Sequence, residues 1–130
     1  MKFIVAIILT ALLGYAAPLY FAWWSFAITS FIVAIAVHQN PARAFLAGFI
    51  GLSLLWGFHA SIIDNANDHI LSQKVANILP LNGSSISLIW ITAITGGLVS
   101  GFAALTGSFA KDYTRSKFQA ENVRTELVQN

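Results

Sequence analysis

The chain has 130 residues, of which 57% are hydrophobic and only 9% are charged, whereas ordinary soluble domains carry about 25% charged residues. This composition excludes a soluble globular domain, and a net charge of +2 without a basic face gives no basis for nucleic-acid binding. The chain has no cysteine, which excludes disulfides, thiolate nucleophiles and zinc–thiolate sites.

Charged side chains are segregated along the chain. Residues 1–110 hold five of them, and residues 111–130 hold seven. A long stretch with so few charges is typical of membrane-embedded helices. We therefore predict an all-α integral membrane protein, with a transmembrane domain over residues 1–110 and a polar cytoplasmic tail over residues 111–130.

Four apolar runs predict four transmembrane helices packed as a small bundle. A spanning helix needs about 20 apolar residues, and the first run is shorter than that. It has the outline of a cleavable signal peptide, but Pro18 and a second apolar run follow it directly. We expect an uncleaved helix and a tight turn around residues 16–20, with a re-entrant first segment as the alternative. The predicted spans cover residues 3–17, 20–37, 44–63 and 86–110.

The basic residues of the loops predict the orientation, because Lys and Arg are enriched on the cytoplasmic side. With both termini in the cytoplasm, only Lys74 lies outside, and all four tryptophans fall towards the outer face as an aromatic belt. We therefore predict a cell-membrane location, a bacterial inner membrane, with cytoplasmic N and C termini. The basic residues then inside are Lys2, Arg43, Lys111, Arg115, Lys117 and Arg124.

The segment between the third and fourth predicted spans is polar at first and then amphipathic. Residues 64–68 read DNAND, and the pattern that follows predicts an interfacial amphipathic helix over residues 68–79. Asn and Asp stop and start helices by capping free backbone groups, so we interpret DNAND mainly as a capped turn, with Asn67 or Asp68 capping the amphipathic helix. Ser84 or Ser85 is a predicted cap for the last span.

Small residues recur at spacings of four and three along the last span, with a shorter version in the third. Small side chains let membrane helices approach closely, so the stripe is either an interface to a partner subunit or internal packing. The predicted helix-packing residues are Ala93, Gly97, Ser100, Gly101, Ala104, Gly107, Gly48 and Gly51.

Four ionisable residues near the third predicted loop are the weak candidates for a metal or proton site: His59, Asp64, Asp68 and His69. Their spacing fits no metal signature, and a site would need a turn at residues 65–67 that folds His69 back towards His59. His59 is of interest because an ionisable side chain within the membrane boundary is often functional. His38 lies at the opposite predicted face, so it cannot pair with His59 on a haem. We predict no cofactor.

Three functions are compatible with these features. The first is a small accessory or structural membrane subunit that binds the lipid bilayer and other membrane proteins, or itself as a homo-oligomer. The second is a small transporter or channel that forms its pore as an oligomer, although no span carries a charge at its middle. The third is a metal-dependent enzyme at the outer face. We expect the first, and therefore not an enzyme.

Overall fold

The computed structural model describes residues 1–129, which form five α-helices and no strand. The helices follow one another through short connections, and α4 is the shortest. They are α1 (Lys2–Tyr20), α2 (Ser25–Ala36), α3 (Pro41–Ala66), α4 (Ile70–Ile78) and α5 (Ser85–Gln129). The predicted all-α class is confirmed.

Three helices, α1, α3 and α5, are long and apolar enough to cross a membrane. The second predicted span, residues 20–37, forms only the 12 residues of α2. At 1.5 Å per residue, α2 is about 18 Å long, which is less than the roughly 30 Å of a hydrocarbon core. The structure therefore shows three helices of membrane-crossing length, and the predicted fourth crossing does not follow from helix length.

The turn after α1 comes later than the sequence predicts. Pro18 was expected to end the helix, but α1 continues through it to Tyr20, and the chain turns at residues 21–24. Proline removes one backbone donor, and the helix tolerates this loss in its last turn. The N–H of Phe21 still donates to the carbonyl of Ala17 at 2.9 Å, which closes that turn.

The four longer helices form a bundle in which each helix runs opposite to the one before it along the chain. Tyr15 lies beside His59, and Ile7 lies beside Gly51, so α1 and α3 run the same way. Helices α2 and α5 run the opposite way. Each of the four helices packs against two others: α2 contacts α1 and α5, and α3 contacts α1 and α5. The cluster of Ala6, Val33 and Ala47 fixes one end of this arrangement.

Small residues make the centre of the bundle. A Cβ atom added at Gly48 would lie 2.8 Å from the carbonyl oxygen of Ser100, so α3 packs at Gly48 directly against the backbone of α5. The hydroxyls of Ser30 and Ser100 lie 2.7 Å apart and join α2 to α5. The eight predicted packing residues are all buried between helices of this same chain. The continuous stripe on α5 is thus occupied by internal contacts.

Residues 108–112 of α5 hold the end of α2 and the loop that follows it. The Lys111 ammonium donates to the carbonyl of Ile35 at 2.5 Å, and the Ser108 hydroxyl donates to the carbonyl of Gln39 at 3.0 Å. Carbonyls at a helix end lack partners within the helix and carry partial negative charge, so a lysine there is stabilising. These contacts fix where α5 leaves the bundle.

Candidate functional site

The carboxylate of Asp64 is the centre of a hydrogen-bonded cluster where α3 ends. Asp64 lies in the last turn of α3 and is buried, at 8% exposure. Its Oδ2 lies 2.6 Å from Nδ1 of His69, and its Oδ1 accepts a hydrogen bond from the Ser72 hydroxyl. The Ser72 hydroxyl lies 2.8 Å from that of Ser85. We name these four residues the Asp64 cluster; it joins α3, α4 and α5.

The backbone between α3 and α4 makes this convergence possible. Asp68 and His69 have φ angles of 50° and 60°, in the left-handed region, where Asp and His are enriched among residues other than glycine. Two such residues in succession reverse the chain within a short turn. The N–H of His69 then donates to the carbonyl of Asp64 at 3.0 Å, and the imidazole falls against the same residue's carboxylate.

The predicted capping of this turn is correct for one helix end and wrong for the other. The Asn67 side chain donates to the carbonyl of Ile63 at 2.8 Å, so it caps the end of α3. The residue before α4 is His69, without a side-chain cap, and α4 starts at Ile70 rather than at Asp68. The left-handed backbone at Asp68 is the reason, since it lies outside the helical range. Ser84 caps α5 by accepting from the N–H of Ser87 at 3.3 Å.

The four metal or proton candidates do not assemble into one group. Asp64 and His69 are in contact, whereas His59 packs edge-on against Tyr15, with ring centroids 5.9 Å apart. Asp68 is exposed and makes no side-chain hydrogen bond or ion pair among residues 1–129. Within that part of the chain, no three His, Asp or Glu side chains lie close enough together to hold a metal ion. The predicted fold-back of His69 does occur, but towards Asp64.

The chemistry open to the Asp64 cluster follows from its hydrogen-bond directions. The carboxylate orients the His69 ring and leaves its second nitrogen free, and that side chain is about half exposed. A nucleophilic serine would have to donate to this imidazole. Ser72 donates to the carboxylate instead, so the cluster is not a serine–histidine–aspartate relay. It fastens α4 to the bundle.

A cleft of about 370 Å³ lies next to His59, between α1 and α3. Its walls are largely apolar and include Tyr15, Trp23 and Trp56, and Tyr15 contacts the imidazole edge-on. A second cleft of about 210 Å³ lies under α4 and includes Asp64 and Ser72 in its lining. Both open at the bundle surface, where lipid surrounds a membrane protein.

The opposite end of the molecule carries the most exposed element. Helix α5 continues without interruption to Gln129, and every residue from 112 to 129 is exposed. At 1.5 Å per residue, residues 111–129 are about 28 Å long, and all of them after Lys111 and Asp112 lie beyond the contacts with α2 and the loop that follows it. The predicted polar tail is thus helical and continuous with a helix of membrane-crossing length. We call residues 111–129 the projecting helix.

No protein-family model matches this chain, and no curated protein or solved structure is significantly similar to it.

Proposed function

We propose that this chain is a small membrane subunit that binds other membrane proteins, and that the projecting helix is its binding element. The observation that carries the proposal is the contrast between the two halves of α5. The first half is packed against α2 and α3, whereas the second half extends from the bundle with large apolar side chains exposed. Tyr113 is 71% exposed, Phe118 is 65% exposed and Leu127 is 74% exposed. Exposed apolar side chains outside lipid are typical of protein-binding surfaces.

Four crossings, with both termini in the cytoplasm, are part of this proposal. Residues 21–40 connect the end of α1 to the start of α3, and these points lie at opposite ends of the bundle because α1 and α3 are parallel. The segment must therefore traverse the bundle, although its helical part has only 12 residues. Basic side chains support a cytoplasmic location for the end of α5, since Lys111, Arg115 and Lys117 follow the point where this helix leaves the bundle.

The packing of the bundle favours a binding role over a transport role. Some of its buried hydroxyls are engaged with one another or with backbone, as Ser30 is with both Ser100 and the carbonyl of Phe26, whereas those of Ser25 and Ser53 have no hydrogen-bond partner among residues 1–129. Glycine and alanine bring α3 and α5 into direct contact around Gly48 and Gly97, which leaves no room for a path between the two helices there. A solute route would need polar groups directed into open space.

The test is co-purification of the full-length chain with its partners from gently solubilised native membranes, comparing two single variants. Phe118→Glu places a charge on the exposed apolar side chain of the projecting helix. Gln119→Glu places the same charge at an exposed polar position about 100° around the helix from Phe118. We expect a stoichiometric membrane-protein partner with the wild type and with Gln119→Glu, and its loss with Phe118→Glu. Absence of any stoichiometric partner from the wild type overturns the proposal.

A further inference from the structure

One face of α5 stays apolar, apart from Ser116, after the helix leaves the bundle. Its residues are spaced by four, three, four, three and four positions, which keeps them on one side of a helix with 3.6 residues per turn. Such spacing is the pattern by which two helices pair side by side. We call this row the α5 seam; its residues are Phe109, Tyr113, Ser116, Ala120, Val123 and Leu127.

The seam lies outside the chain's own packing. Phe109 is 57% exposed, Val123 is 56% exposed and Leu127 is 74% exposed. Lipid can cover the face of α5 beside the bundle, where Phe102 continues the same row. Beyond Lys111 the helix is in water if four spans are present, and there lipid no longer covers the seam. Covering it there takes another polypeptide.

The charges beside the seam fit a second copy of the same helix in parallel. In such a pair, a residue flanking the seam on one side meets the residue five positions later on the partner helix. This rule pairs Asp112 with Lys117 of a second copy, and Gln119 with Arg124 of a second copy. The first pair is of opposite charge, the second can hydrogen bond, and two-fold symmetry forms each pair twice. Among residues 1–129, Asp112 forms an ion pair with His38, at 3.8 Å.

The membrane anchors favour this arrangement further. Both copies of α5 leave the same side of the membrane at the same residue, which forces them to be parallel and in register. The projecting helix also continues a membrane helix that is already formed, so it needs no separate nucleation, unlike an isolated short helix. Confinement to one membrane raises the effective concentration of the two seams, which compensates for their short length.

We propose that two copies of this chain pair in parallel along the α5 seam, forming a two-helix stalk on the side of the membrane that holds the C terminus. This inference rests on the proposed function in one respect, that the projecting helix is a protein-binding element. Phe118 lies about two and a half turns after Phe109, on the face opposite the seam. The stalk therefore leaves Phe118 free for a different partner.

The test uses single cysteines in the full-length chain, which has none of its own. Equivalent seam residues of a parallel pair face each other within disulfide range. With a mild oxidant in native membranes, we expect disulfide-linked dimers for Val123→Cys and for Leu127→Cys, and none for the matched control Phe118→Cys. Equal cross-linking at all three positions, or none at the seam, overturns the proposal.

A charge swap tests the register separately. In the Leu127→Cys background, Lys117→Asp places like charges opposite each other, and we expect cross-linking to fall about three- to tenfold. Adding Asp112→Lys restores opposite charges and should restore cross-linking. No recovery in the double swap contradicts the parallel pairing. The co-purification experiment distinguishes failure of the proposed function: in that case no membrane protein co-purifies, while cross-linking at the seam persists.

Discussion

Replacing Gly48 by alanine should separate α3 from α5. The added Cβ would lie 2.8 Å from the carbonyl oxygen of Ser100 and 3.0 Å from the Cβ of Ala104. The first of these is a backbone atom inside a helix, so it cannot rotate away. Lengthening the 2.8 Å separation to an ordinary contact of 3.4 Å requires a displacement of about 0.6 Å.

The expected loss of stability follows from two opposing effects. Overpacking a close contact costs about 1–3 kcal/mol. Alanine stabilises a helix by about 1 kcal/mol relative to glycine, which offsets part of that cost. We therefore expect Gly48→Ala to lower the free energy of unfolding by about 0–2 kcal/mol, which is about 1–3 kcal/mol below a glycine-to-alanine change without a close contact.

Gly57→Ala is the matched control on the same helix, facing the same neighbour. Its Cβ would lie 3.4 Å from the Cβ of Ala93, an ordinary contact, so stability should be unchanged or slightly higher. Unfolding of both variants by SDS in mixed micelles can be followed through the fluorescence of the four tryptophans. Equal stability of Gly48→Ala and Gly57→Ala would refute the close α3–α5 packing.

Three further predictions test other parts of the structure. Ser30→Ala leaves the Ser100 hydroxyl without its partner and should cost about 0.5–2 kcal/mol in the same SDS assay, whereas adding Ser100→Ala should cost little more; additive losses would contradict the hydrogen bond. Asp64→Asn weakens the attachment of α4, so amide hydrogen exchange across residues 70–78 should become faster while the rest of the bundle is unchanged, and unchanged exchange in α4 would contradict that role of the carboxylate. In intact cells, a membrane-impermeant maleimide should label Lys74→Cys but should label Glu121→Cys only after lysis, and the reverse pattern would refute the orientation.

The sequence predicts the long helices well and the turns poorly. The apolar runs behind α3 and α5 are bounded by Asn, Asp and Ser residues whose local chemistry ends or starts a helix, so these elements are visible without tertiary information. Pro18 misleads because its effect depends on its position within the helix, and one lost hydrogen bond in a last turn is tolerated. The contacts that hold the end of α2 and the loop after it come from Ser108 and Lys111, which are distant in sequence.

The Asp64 cluster shows a similar limit. The residue types and a reversing turn are visible in DNAND, and contact between Asp64 and His69 follows once that turn is left-handed. The participation of Ser72 and Ser85 depends on how α4 packs against the start of α5, and no spacing rule reveals it. The spacing of small residues in the sequence also leaves open whether they face a partner or the same chain, because both kinds of helix contact favour the same side chains.

Native mass spectrometry of the full-length chain, released gently from its own membrane together with its bound proteins, tests the pairing and the partner binding in one measurement. We predict an assembly that contains two copies of this chain and a stoichiometric second membrane protein. A single copy with that partner would contradict the paired stalk but keep the binding role. Copies of this chain alone, or a lone monomer, would contradict the claim that it works by holding another membrane protein.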